Sequence, residues 1–178
     1  GSYDLGAHLF AEISKRPIVM VRAPETDPDT RQYEERLHER TAAETLQIDF
    51  STRASELALD LLGAVQRGEL VAIQGDRVTP GISVLPATLF GKATELPAGP
   101  FALAMAARVP IYPLFIVRMG RRRYRLIVGK PIEVVRTRDR AEAFQRAMND
   151  WTRELETVIR TLWFQWFTFE PFSREVAR

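Results

Sequence analysis

The chain has 178 residues, enough for one domain with a sizeable core and too few for two ordinary ones. Its 46% hydrophobic and 27% charged residues match a globular average, and no uninterrupted apolar run of about 18 residues is present to cross a bilayer. The formal charge is a small +2, and the absence of cysteine excludes disulfides, thiolate zinc sites and a cysteine nucleophile and favours a reducing, cytoplasmic location.

Over residues 4–14 the apolar side chains Leu5, Leu9, Phe10 and Ile13 recur at helical spacing, and PIVMVR (17–22) then reads as a short buried strand. The turn-rich APETDPD leads to Asp29, a cap for an exposed helix carrying Tyr33 and Leu37. Residues 46–50 read as the next strand. Ser51 or Thr52 caps a helix to about residue 67, with Leu57, Leu61 and Val65 on one stripe and Gly68 as its stop. LVAIQ (70–74) is a strand without alternation, the pattern expected where helices cover both faces of a sheet.

Residues 81–90 fit strand or loop, because Pro86 weakens a strand. Residues 97–108 read as a helix with proline and glycine at its start, and 111–119 and 123–128 as two strands joined by MGRRR. The longest helical periodicity, over 139–162, carries Phe144, Met148, Trp151, Leu155, Val158 and Ile159. This alternation predicts an α/β fold, a single-domain sandwich over residues 1–178 in which helices flank a mixed, mostly parallel sheet.

Four segments can carry chemistry. Asp4 stands at the start of a helix, where a carboxylate is stabilised by the helix N-terminus and can orient a histidine, or serve as an N-cap alone. Gly75, Asp76 and Arg77 follow the 70–74 strand, and ligands of open α/β sheets collect at the carboxyl ends of strands; an ordinary turn ion pair uses the same residues. Phe90, Gly91 and Lys92 form a turn ahead of Pro97, Gly99 and Pro100, small residues that admit an extended apolar ligand or tight packing. WFQWFTFEPF (163–172) suits a membrane interface or a strap over the core.

Arginines crowd at Arg118, Arg121, Arg122, Arg123 and Arg125, with Arg136, Arg138 and Arg140 beyond, as for anionic headgroups, nucleic acid or a solvated turn. Five residues after His8 stands Ile13, and five after His38 stands Ala43, so neither histidine pairs with an acid at that spacing. Two scattered histidines without cysteine make no metal set, and neither a Gly-x-Ser-x-Gly elbow nor a phosphate loop occurs.

In order, GSYDLGAHL, PIVMVRAP, the strand ending in GDRV, LFGKATELPAGPFALA, PIYPLFIVR and QWFTFEPF resemble successive blocks of the late (lauroyl/myristoyl) acyltransferases of lipid A biosynthesis, within the lysophospholipid acyltransferase superfamily. The resemblance spans nearly the whole chain, and its final block is similar to a branch found with aryl polyene-type lipid pathways. It implies a glycerolphosphate acyltransferase-like fold. The family's hallmark is a histidine, four residues, then Asp or Glu. Gly1, Ser2, Tyr3 and Asp4 match its latter part, which places the implied histidine two positions before Gly1 and makes the chain look cut inside the motif, without any upstream anchor.

By resemblance, that histidine is the general base toward an acceptor hydroxyl and Asp4 fixes its tautomer. Arg77, Arg22 and Lys92 are then candidates for holding an oxyanion or the acceptor's phosphate, with Gly75, Asp76, Phe90, Gly91 and Gly99 lining the substrate site. The implied co-substrate is an acyl thioester on acyl carrier protein or coenzyme A, with no cofactor and no metal. The implied partners are acyl carrier protein, matched by the arginines at 118–125, a lipid acceptor and the cytoplasmic face of the bacterial inner membrane, with no nucleic acid. A glycerophospholipid acyltransferase is the alternative enzyme, disfavoured by the lack of a Phe-Pro-Glu-Gly-x-Arg-type block. A non-catalytic module that holds acyl chains or carrier protein is the alternative of a different class.

Overall fold

The computed structural model describes residues 3–21, 46–49, 54–79, 81–121 and 123–166; for residues 3–5, 7–9, 46–49 and 54–55 it describes the backbone alone. Two compact units divide the chain, Asp4–Gln74 and Gly75–Arg178, the latter together with Gly1–Tyr3. The fold is mixed α/β, as expected.

In the N-terminal unit, α1 (Tyr3–Ser14) precedes β1 (Ile18–Val21), β2 (Leu46–Asp49), α2 (Ala54–Gln66) and β3 (Leu70–Ile73). The three strands form one parallel sheet in the order β2-β1-β3, with Ile18 facing Leu46 on one side and Leu70 on the other. Central position explains why Ile18, Val19 and Met20 are all buried, without the alternation of a one-sided strand. Ala11 of α1 and Leu61 and Ala64 of α2 are also buried. LVAI in β3 lacks alternation too, but all four residues are only half-buried. The strand lies at the sheet's edge, so the greater burial belongs to β1. The caps expected at Ser51 or Thr52 and the helix expected around Tyr33 and Leu37 lie outside the described residues.

The C-terminal unit contains β4 (Val84–Leu89), β5 (Lys92–Pro97), α3 (Gly99–Ala107), β6 (Leu114–Gly120), β7 (Arg123–Val128) and α4 (Arg140–Leu162), which ends in a 3₁₀ turn over Trp163–Gln165. Its strands form two antiparallel pairs, β4-β5 and β6-β7. This differs from the expected single, mostly parallel sheet: among the described residues the strands make three separate sheets. Links this short cannot carry a parallel crossover, so each strand pairs with its sequence neighbour. The ambiguous 81–90 stretch resolves as strand over Val84–Leu89, turning at Phe90 (φ 52°) and Gly91 (φ 74°). Two consecutive left-handed residues match the twist of a two-residue hairpin, a demand glycine meets without strain.

α4 organises this unit. Asp139 caps it by accepting a 3.0 Å hydrogen bond from the Glu142 amide, and Ala143, Phe144, Ala147, Met148, Thr152, Leu155 and Ile159 form its buried stripe. Phe144, Ala147 and Met148 meet Ala87, Leu96, Phe101, Ala104, Ile132 and Val134 in the main core. Further along, Leu155 and Ile159 join Leu89, flanked by Phe90, Phe115, Trp151 and Trp166.

Candidate functional site

Two of the segments singled out in the sequence are tied to α4. Directly beyond β3, Gly75 presents its carbonyl to the Trp151 indole N–H at 3.2 Å. A side chain at Gly75 would place Cβ 2.9 Å from Trp151 Cζ2, so the backbone here needs a residue without one. Trp151 in turn stacks on Phe115 of β6, ring centres 5.9 Å apart and planes within 7°. The next residue, Asp76, is half-buried, and its Oδ2 accepts a 3.2 Å hydrogen bond from the Trp166 indole N–H. Two indoles therefore hold the peptide just before Arg77, whose side chain is exposed.

The β4-β5 turn is fastened five residues further along the same helix. The Phe90 amide donates to Glu156 Oε1 at 2.6 Å, Glu156 pairs with Arg160 at 3.1 Å, and the Arg160 guanidinium lies 5.2 Å from the centre of the Phe90 ring. Gly91 and Lys92 complete the turn and are exposed. Gln145 Nε2 donates to the Pro86 carbonyl at 3.2 Å, so α4 also satisfies the outer edge of β4.

Gly75, Asp76 and Phe90 thus meet side chains of α4 and of Trp166 just beyond its end, with Arg77, Gly91 and Lys92 beside them in sequence. Gly99 is the first residue of α3, exposed and with open space where a Cβ would be, and makes none of these contacts. Asp4 lies in the first turn of α1, where only the backbone is described, and Arg22 falls outside the described residues. Among the described residues no group of His, Cys, Asp and Glu is arranged to hold a metal ion.

Sequence reading missed the roles of Trp151, Trp166 and Glu156. Trp151 reads as one more apolar position of the α4 stripe, and Trp166 as one of many C-terminal aromatics. The signal available was chemical: a buried or half-buried indole usually needs an acceptor for its N–H.

The sequence profile of the bacterial lipid A biosynthesis acyltransferases matches residues 33–172, about four-fifths of the chain. The protein therefore belongs to this acyltransferase family. The matched region includes Gly75, Asp76, Arg77, Phe90, Gly91, Lys92 and Gly99, as well as Trp151, Glu156 and Trp166, and begins after Asp4 and Arg22. No curated protein matches the chain.

Proposed function

We propose that the protein transfers a fatty acyl group from an acyl thioester to a hydroxyl of a glycolipid acceptor, at the cytoplasmic face of the bacterial inner membrane. We place it in the late-acting, lauroyl- and myristoyl-transferring branch. The observation that carries this reading is membership of the lipid A acyltransferase family across most of the chain. The indole-held Gly75–Asp76 peptide, which sets the backbone ahead of an exposed arginine, supports it.

In this reading the motif histidine removes the proton from the acceptor hydroxyl as its oxygen attacks the thioester carbonyl. Asp4 accepts a hydrogen bond from the other ring nitrogen, fixing the tautomer and steadying the imidazolium. The tetrahedral oxyanion collapses, the carbon–sulfur bond breaks, and the thiolate takes the proton from the imidazolium. Arg77, with Arg22 and Lys92, supplies positive charge for the oxyanion or for a phosphate of the acceptor, where a planar guanidinium suits two oxygens at once. Acyl carrier protein or coenzyme A delivers the acyl chain.

The test uses a polypeptide carrying the complete histidine motif, an acyl thioester and a phosphorylated glycolipid acceptor, with ester formation and thiol release followed together. Asp4→Ala is expected to lower turnover on the order of 10²-fold or more while the far-ultraviolet circular dichroism stays unchanged. Full turnover in that variant removes the orienting role from Asp4. Failure to form an ester with hydroxyl acceptors rejects acyl transfer and favours the acyl-binding alternative.

A further inference from the structure

Every described residue between 118 and 125 is exposed, so both faces of this end of the β6-β7 hairpin are open. Register assigns the side chains: Arg118 is opposite Tyr124 on one face, and Arg125 is opposite Val117 on the other. Val117 is buried at 2% exposure while Arg125 is exposed, which marks where packing ends and the free end of the hairpin begins. Among the described residues no acidic side chain pairs with Arg121, Arg123 or Arg125.

A solvated basic turn would need no partner. Here, however, large apolar side chains accompany the charge. Trp163 is 70% exposed and Phe164 58%, packed edge to face with ring centres 6.0 Å apart. Met119 and Tyr124, on the hairpin itself, are 47% and 43% exposed. Their neighbour Gln165 fixes the aromatic pair to the hairpin: its Oε1 accepts from the Arg118 amide at 2.7 Å and its Nε2 donates to the Arg118 carbonyl at 3.0 Å. Arginines and aromatics are thus held together on rigid backbone, rather than scattered along a loose tail.

We propose that the end of the β6-β7 hairpin, with Trp163 and Phe164 at its base, is a docking surface for an anionic lipid bilayer. Guanidinium groups pair with headgroup phosphates, and indole and phenyl rings are favoured at the boundary between headgroups and acyl chains. The arginines occupy both faces of the hairpin. A folded acidic protein can cover one face, whereas mobile headgroups close around both, and this favours lipid over carrier protein as the occupant. The proposal adds a named surface to the location given above, and its test does not depend on catalysis.

Co-sedimentation compares vesicles of phosphatidylcholine alone with vesicles of equal parts phosphatidylcholine and phosphatidylglycerol. Binding is expected to the anionic vesicles and to weaken as salt is raised. Changing Arg121, Arg123 and Arg125 together to Glu is expected to lower partitioning by about a hundredfold or more, from the contribution of each basic residue at an anionic surface. Brominated acyl chains are expected to quench tryptophan fluorescence in the parent and to lose most of that effect in Trp163→Phe. The separate variant Phe164→Ala, at an exposed position, should weaken binding with the fold intact. Equal binding to both vesicle types, indifference to the charge reversals, or binding of an acidic carrier protein through these arginines without vesicle binding would each overturn the proposal. Acyl transfer by a protein that ignores vesicles refutes this surface alone; vesicle binding by a protein without transferase activity refutes the proposed reaction alone.

Discussion

At the scale of single residues, Gly75 and Gly99, two of the glycines in the candidate segments, have opposite requirements. Gly75→Ala pushes a methyl group to 2.9 Å from the Trp151 ring and endangers the indole bond to the Gly75 carbonyl. It is expected to destabilise the fold by about 1–3 kcal/mol. Gly99→Ala meets open space in the first turn of α3 and should be neutral, or stabilising by up to about 1 kcal/mol. Urea denaturation of the two variants checks the contrast, and loss of stability at Gly99 alone would contradict it. The glycine of GDRV was visible in the sequence, but the reason for it was not, because the ring that excludes a Cβ stands 76 residues away.

Also at this scale, Glu69 is held below the ordinary carboxylate range by hydrogen bonds from Arg67, at 2.7 and 3.1 Å, opposed by partial desolvation and helped by the guanidinium charge. A depressed carboxylate favours the folded state above its unfolded-state pKa, and that contribution is lost as pH falls through the folded value. NMR titration of Glu69 should give a midpoint below that of an unpaired glutamate, and Arg67→Gln should move it upward. A midpoint indifferent to Arg67 would assign the shift elsewhere.

Among the elements, α1, α2, α4 and the β6-β7 pair were legible because each repeats its own period long enough to be read, and α3 from the proline and glycine at its start. α1, α2 and α4 carry apolar residues at helical spacing, and MGRRR marks a turn between two strand-like runs. The β4-β5 hairpin was half hidden. Pro86 argues against a strand, yet it pairs with Glu95, and the adjacent edge is satisfied by Gln145 of α4, a partner no local pattern reveals. Proline also moved a boundary: β6 starts at Leu114, while Ile111 makes an isolated antiparallel bridge with Ile132 on the other side of Pro113. The hairpin turn rests on Glu156, and Glu156→Ala leaves the Phe90 amide without its acceptor. Amide exchange at Phe90 should then accelerate, with a loss of about 1 kcal/mol in overall stability. Unchanged exchange there would mean that the turn holds itself.

For the molecule as a whole, the sequence conveyed the α/β class and most of the described elements, but not the strand β5 or how the strands divide into sheets. Three short parallel strands occupy one unit, and two antiparallel pairs with their governing helix occupy the other. Hydrophobic pattern reports whether a strand is covered, and it misjudged the edge strand β3 because apolar runs look alike at the centre and rim of a parallel sheet. The chemistry was legible as blocks, GDR and FGK, whereas their fastening depends on Trp151 and Glu156 of α4 and on Trp166 beyond it, which are far away in sequence.

Gln165 has one further consequence. With its two bonds to the Arg118 peptide, a side-chain amide stands in for a missing neighbouring strand. A second chain that tried to zip onto β6 would find that rung already taken and positively charged side chains alongside it, so the molecule is guarded against self-templated stacking where its hairpin is most open.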